Sequence, residues 1–583
     1  MAYPTLKELV STRQMVDAFR GYNHNLRISD NEFFDMKNMT SDYYPVLSPR
    51  GKRGVYASPE KTQGLLAKDK LCFVDGSAIV IGDDWIEMGL TEDGDPKQLI
   101  SMGAYIIILP DKKYINAMDL NDRGDIEAAY ESTAAVRFEL CTITGDPYSE
   151  ATVSDTAPEN PENMALWIDT SSTPHTLKKW YSANSMWTPI ATTYIRISSP
   201  GLGARFKQYD GVTISGVAAE SLKDLNASMV VWGRGDDYIV VVGILDEVVT
   251  QTIEQGAITV RRQMPKMDFV IESENRLWGC RYGLNDKGEM VNEIYASKQG
   301  DFRNWNCFMN TSTDSYAASC GTDGPFTGAI THLGYPLFFK ENYVHKVFGN
   351  YPANYQIQST ACRGVQKGSH RSLAIVNEML YYKSRTSVCA FDGSLPVEVS
   401  YALGNEAYSD AVAGANGNKY YISMRDMYGA WHLFVFDIAK GMWHKEDNFQ
   451  ADVFCSWMGE LYSIDHETKK IMTMLKAVED PEEKVKWMVE TGEIGITSAD
   501  MKYISRLTVR MSLDVGTEVR FFAKYDFAEQ WEPLFALRST NLRSFSIPIR
   551  PKRCDHMKIR IEGDGGGKIY TITKTIEQGS DIA

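Results

Sequence analysis

Met379-Leu380-Tyr381-Tyr382-Lys383-Ser384-Arg385-Thr386-Ser387-Val388-Cys389-Ala390-Phe391 is an apolar run, a polar turn and a second apolar run. Apolar and aromatic side chains bounded by turn residues predict the two strands of a β-hairpin. The pattern occurs six more times. Leu71-Cys72-Phe73-Val74 precedes Ile79-Val80-Ile81, and Tyr105-Ile106-Ile107-Ile108 precedes Tyr114-Ile115. Arg276-Leu277-Trp278-Gly279-Cys280 precedes Glu293-Ile294-Tyr295, and Pro336-Leu337-Phe338-Phe339 precedes Val344-His345-Lys346-Val347-Phe348. Lys419-Tyr420-Tyr421-Ile422 precedes Leu433-Phe434-Val435-Phe436, and Glu460-Leu461-Tyr462-Ser463-Ile464 precedes Ile471-Met472. A single hairpin cannot bury its own apolar face. Radial stacking of such units does, so the repeat predicts an all-β chain built on a β-propeller of about seven blades.

The blades do not account for all 583 residues, and so long a chain needs several cores. Residues 1–53 read as an N-terminal arm: a short helix over Thr5–Arg20, then a turn-rich aromatic stretch. Blades occupy 54–122 and 263–478, and the arm is placed to donate a strand that closes the ring. The pattern breaks over 123–262, where the acidic, Pro-containing loop Gly145–Asn163 precedes alternating strands such as Thr193–Ile197 and Asp237–Ile244. This is an inserted small β domain; insertion costs little because loop-closure entropy grows slowly with length. Over 485–583 apolar and polar residues alternate, as in Leu507-Thr508-Val509-Arg510-Met511, which predicts an antiparallel β-sandwich.

Net charge is −15, which argues against a surface that grips nucleic-acid phosphates yet suits a wall past which DNA slides without sticking. The nine cysteines are odd in number, form no CxxC and in part sit inside apolar strands, which predicts reduced thiols. The start Met-Ala-Tyr-Pro-Thr-Leu-Lys-Glu has no basic segment followed by an apolar one, so no export address is expected. The longest apolar runs, Ala104–Pro110 and Tyr238–Leu245, are of strand length, so no membrane insertion by this chain is expected.

Candidate chemistry is sparse. Ser297-Lys298-Gln299-Gly300-Asp301-Phe302-Arg303-Asn304-Trp305 is similar to the Asp-box turn of sialidase-like propellers, where the Asp caps backbone and the aromatic is buried; it reads as a blade turn. A glycosidase needs two flanking carboxylates, and none of the many Asp and Glu is marked as such. The histidines supply no ligand pair at helical spacing, and Gly563-Asp564-Gly565-Gly566-Gly567-Lys568 is one residue short of a phosphate loop and lacks a following helix. No catalytic residue, metal or cofactor is therefore expected. Trp167, Trp180, Tyr181 and Trp187 are candidate carbohydrate contacts, because sugars stack on such rings; the competing reading makes them the insert's own core. Tyr22, Phe33, Phe34, Tyr43 and Tyr44 of the arm, with Arg543, Arg550, Lys552 and Arg553, are candidate partner-interface residues: aromatic anchors and a local basic cluster in an acidic chain.

Arg20-Gly21-Tyr22-Asn23, Phe34-Asp35-Met36-Lys37-Asn38-Met39 and Leu47-Ser48-Pro49-Arg50-Gly51-Lys52-Arg53 resemble the opening of many phage tail proteins that continue into a propeller. Gly300-Asp301-Phe302-Arg303-Asn304-Trp305 matches a turn of the same proteins. Leu166-Trp167-Ile168-Asp169-Thr170, Leu177-Lys178-Lys179-Trp180-Tyr181 and Trp187 resemble small β modules of phage tails and fibres, and Glu493-Ile494-Gly495 with Lys502–Leu507 is similar to phage structural proteins. The resemblance is to the tail nozzle or tail-hub (tail tubular, stabilisation) proteins of short-tailed phages. It implies a non-enzymatic virion protein, assembled in the host cytoplasm as a homo-oligomeric ring, typically a hexamer. It also implies a portal or adaptor and other tail proteins as partners, with genomic DNA passing through the channel without sequence-specific binding. The alternative is a propeller glycoside hydrolase or a receptor-binding adhesin acting on host surface polysaccharide.

Overall fold

A computed structural model describes residues 11–148, 150–285, 288–477, 480–496, 501–538 and 540–578. Among them, helix is confined to six short 3-10 segments and the rest of the regular structure is strand. Each of the seven hairpins read from the sequence forms the two central strands of a four-stranded sheet. Met379–Lys383 and Val388–Phe391 pair antiparallel, Tyr381 opposite Ala390, with Ala374–Val376 and Val397–Glu398 outside them. Every side chain of Val388–Phe391 is buried, so this strand is covered on both faces, as its unbroken apolar run requires.

The chain divides into two compact units: residues 1–99, 339–344 and 360–583, and residues 100–338 and 345–359. In the first unit the last hairpin sheet takes Gly54–Ala57 as its outermost strand, antiparallel to Ile471–Thr473. The chain thereby joins a segment early in its length to one more than 400 residues on, and this strand comes from just after the arm, not from residues 1–53. The C-terminal strands form two further sheets. One is ordered Ser11–Val16, Gly567–Gln578, Lys502–Leu513, Arg543–Ile547, and the other Phe33–Lys37, Lys486–Thr491, Met557–Asp564, Glu518–Tyr525, Glu532–Leu537. Their inward residues share one apolar core that includes Leu507, Val509, Val519, Phe521, Ile559 and Ile561. Met557–Asp564 alternates strictly between buried and half-buried positions, so the period-two reading of this region holds at the residue level.

The arm departs from expectation. Ser11–Val16 is a strand, not part of a helix, and pairs with Ile572–Glu577; Thr5 to Val10 lie outside the described residues. The cause is tertiary: a six-residue segment at an open sheet edge completes a ladder with every residue it adds, whereas a short helix first bears a nucleation cost. Phe33–Lys37 does the same for the second sheet. Beyond these strands the arm is held by ions. Arg53 Nη2 donates to Glu446 Oε2 at 2.6 Å and Nη1 to Asp447 Oδ2 at 2.7 Å, while Arg50 Nη1 reaches Glu482 Oε2 at 2.7 Å. Both guanidiniums are almost fully buried, so removing either partner strands a charge.

In the second unit Arg123–Asp125 is still the outer strand of the Tyr105 sheet, so the insert begins a few residues later than the sequence indicated. Its entry strand Ala128–Glu131 pairs with its exit strand Thr259–Arg262, Ala128 opposite Arg262. Between them lie a core of Phe138, Ile195, Ile197, Val212, Ile239 and Val241 and a separate small sheet, Thr152–Ser154, Leu166–Asp169, Thr176–Tyr181, Met186–Pro189. The expected loop Gly145–Asn163 thus contains a strand, Thr152–Ser154, parallel to Leu166–Asp169.

Candidate functional site

The small sheet gathers the four candidate carbohydrate contacts. Trp180 stands opposite Trp187, and Trp167 opposite Lys178. Side chains two apart on a strand share a face, so Trp167, Lys178, Trp180 and Trp187 all project from one side. The rings form a row, Trp167 to Trp187 at 5.4 Å and Trp187 to Trp180 at 5.4 Å, each pair inclined. Trp167 anchors the row: it is buried, and its indole N–H donates to Ser154 O at 3.1 Å. Trp180 and Trp187 keep part of their surface exposed, and Tyr181, on the opposite face, is 39% exposed.

Lys178 fixes the polar end of the row. Its ammonium lies 4.6 Å from the Trp167 ring centroid and 2.6 Å from Asp169 Oδ2. Hydrogen bonds from Lys178 and from the Ser171 side chain and backbone hold the Asp169 carboxyl down at about 2. Asp169 is thus a fixed anion that positions Lys178, not a proton donor. Such a surface, with ring faces, one cation and one anion, can hold the C–H faces and hydroxyls of a sugar.

A glycosidase acid needs a raised pKa. Asp42, Asp122, Asp169, Asp426, Asp437, Asp447, Glu482, Asp555 and Glu577 are held below the usual carboxylate range. At Asp42 burial pushes the value up, and the hydrogen bond and charge of Lys419 outweigh it. Among the described residues no group of three or more His, Cys, Asp or Glu is arranged to hold a metal ion. Among the described residues no helix is long and apolar enough to cross a membrane.

The Asp301 turn is structural. Asp301 Oδ1 accepts the Arg303 backbone N–H at 3.2 Å, and Trp305 and Phe302 are buried. Asn304 gives the turn its reach: Nδ2 donates to Tyr209 O at 2.7 Å, and Oδ1 accepts Gly211 N at 2.9 Å. The turn therefore pins the insert to the sheet that carries it.

The partner-interface candidates, all in the first unit, divide. Tyr22 and Phe33 are buried in the chain's own core, Tyr22 against Phe434 and Phe33 stacked on Phe19, so they anchor the arm and are not presented outward. Phe34 is half-buried between His24 and the Lys558 ammonium. Tyr43 and Tyr44 are exposed, with the Lys568 ammonium over the Tyr43 ring. Arg543, Arg550, Lys552 and Arg553 are exposed; Lys552 pairs with Glu532, and Arg543 lies over Phe545. What sequence reasoning missed is a cavity under the arm that includes Tyr421 and Glu446. Its wall comes from segments near residues 40, 420, 440 and 475, so no local motif marks it.

No family model matches the chain, and no curated protein matches it. Among solved structures it is similar to an exo-beta-1,3-galactanase from Phanerochaete chrysosporium, at 9% identity and a TM-score of 0.21, covering 52% of this chain and 94% of that one. A Trypanosoma rangeli sialidase is similar at 8% identity and a TM-score of 0.19, over 90% and 95%. An extracellular domain assigned to a hybrid two component system of B. thetaiotaomicron is similar at 8% identity and a TM-score of 0.25, over 92% and 99%. The expectation of a tail nozzle or hub is corrected on these findings: the named likenesses include a galactanase and a sialidase and no tail protein. The ring, portal and DNA-channel expectations rested on the same resemblance.

Proposed function

We propose that this chain is a multi-domain β protein that binds surface polysaccharide without cleaving it. On this reading the seven four-stranded sheets are the blades of a propeller and the two C-terminal sheets pack face to face as a sandwich. Together they form a scaffold that displays the insert. One observation carries the proposal: the partly exposed tryptophan row, with Lys178 and Asp169 fixed at one end. A pyranose presents a C–H face that rests on the electron-rich face of an indole, and its equatorial hydroxyls reach neighbouring charges.

The test is titration of the full chain with soluble polysaccharides while indole fluorescence is followed, alongside Trp180→Ala and Trp187→Ala. Either substitution should weaken binding roughly tenfold or more, the usual effect of losing a central aromatic contact. Unchanged affinity in both folded variants would show that the row is only the module's core.

A further inference from the structure

The C-terminal sheet ordered Ser11–Val16, Gly567–Gln578, Lys502–Leu513, Arg543–Ile547 turns one face to the shared core. Register sets what the other face carries. Leu507, Val509 and Met511 point inward and are buried, so Arg506, Thr508 and Arg510 between and beside them point outward. Residues directly opposite on neighbouring strands share a face. Arg506 stands opposite Thr575, and Thr575 opposite Arg13. Two guanidiniums therefore flank one hydroxyl, their backbones two ladder spacings or about 10 Å apart. Four residues along the strand from Arg506, Arg510 stands between Thr571 and Ser544.

Arg13, Arg506 and Arg510 are exposed, and among the described residues none of their guanidiniums makes an ion pair or a hydrogen bond. The four strands place one carboxylate on this face, Glu577, which accepts the Tyr503 hydroxyl at 2.6 Å. Lys568, opposite Ser512, adds a cation, and Asp17, just past the first strand, an anion. The face thus carries an excess of positive charge in a chain of net charge −15. An unspent guanidinium is a planar fork that matches a carboxylate or sulfate with two parallel hydrogen bonds.

Three features choose among anionic occupants. The side chains between the arginines are hydroxyls, which donate or accept as required and so suit a ligand whose remaining polar groups are hydroxyls too. A protein partner needs an apolar centre, and Met15 is the one large apolar side chain exposed on the outward positions of these strands. A single-stranded nucleic acid needs rings to stack on, and the face offers only the half-buried Tyr503.

We propose that this face binds an acidic polysaccharide, its carboxylate or sulfate groups held by Arg13, Arg506 and Arg510. The choice of a polysaccharide rests on the function proposed above; the need for negative charge rests on the arginines alone.

Calorimetric titration of the full chain tests this with two pairs of polymers: polygalacturonate against its methyl ester, and heparin against desulfated heparin. The more acidic member of at least one pair should bind at least tenfold more tightly than its partner and lose affinity as salt is raised. Arg13→Gln, Arg506→Gln and Arg510→Gln together should weaken that polymer roughly tenfold or more. The loss should be the same in a Trp180→Ala, Trp187→Ala background. If the triple variant does not fold, Arg506→Gln alone should weaken it roughly threefold. Equal binding within both pairs, no binding of either acidic polymer, full affinity in the folded arginine variants, or tighter binding of poly-L-glutamate or single-stranded DNA would overturn the proposal. Neutral polymers read the tryptophan row separately. Their failure to bind while an acidic polymer binds through the arginines would overturn the row and support this face, and the opposite pattern would do the reverse.

Discussion

His444 is 3% exposed, on the outer strand Met442–Lys445, and Gly21 of the arm lies directly over it. Burial first, then the Lys419 and Lys440 ammoniums against the opposing pull of Asp437 and Asp42, lower its pKa from 6.5 to about 3. The unfolded chain therefore takes up a proton near pH 6.5 that the folded chain refuses. Stability from this residue is complete above pH 6.5 and falls as pH drops toward 3, by about 1.4 kcal/mol per pH unit. Between pH 6.5 and 5 most carboxylates are still ionised in both states. Over that interval urea denaturation should show a shallower loss of stability for His444→Gln than for the unaltered chain; parallel slopes would contradict the buried neutral imidazole. A second residue-scale case is Gly563, where an added Cβ would stand 2.0 Å from the Trp487 ring. Trp487 is buried at 3% exposure and cannot swing away, so Gly563→Ala should cost about 1–3 kcal/mol, read as a lower unfolding midpoint. An unchanged midpoint would mean that the two strands separate more easily than their packing implies.

Strands and hairpins were the legible elements, because their cause is local. Tyr420-Tyr421-Ile422 and Leu433-Phe434-Val435-Phe436 carry their apolar runs and turn residues within one short window, and they pair in register, Tyr421 opposite Val435. The arm was misread for the opposite reason. Ser11–Val16 becomes a strand through a partner at Ile572–Glu577, and nothing near residue 11 records that partner. The same separation hid the clamp: Arg50 and Arg53 stand close together in the sequence, while the carboxylates they hold are at Glu446, Asp447 and Glu482. Arg53→Ala should leave the buried Glu446 and the neighbouring Asp447 without their cation and cost about 3–5 kcal/mol, measured by denaturant unfolding. A cost near that of an exposed pair, below about 1 kcal/mol, would show that water replaces the guanidinium. The tryptophan residues were visible from sequence, but their row was not, since register alone sets Trp180 opposite Trp187. The cavity under the arm was invisible, its donors and acceptors being scattered over more than 400 residues.

At the scale of the molecule, the insert is a detachable part. Its first and last strands are neighbours, so joining residue 127 to residue 263 through a short linker spans only adjacent ladder positions. The shortened chain should still unfold cooperatively and lose the binding to polysaccharide that the tryptophan row provides. Loss of cooperative unfolding would show that the contacts of Asn304 with Tyr209 and Gly211 are needed to hold the carrying sheet.

The most direct test of the whole account is incubation of the full chain with a panel of surface polysaccharides, scoring retention on each immobilised polymer and release of reducing ends together. The expected result is retention on at least one polymer, lost in the Trp180→Ala, Trp187→Ala variant, with no reducing ends released. Release of reducing ends, or no retention on any polymer, would contradict it.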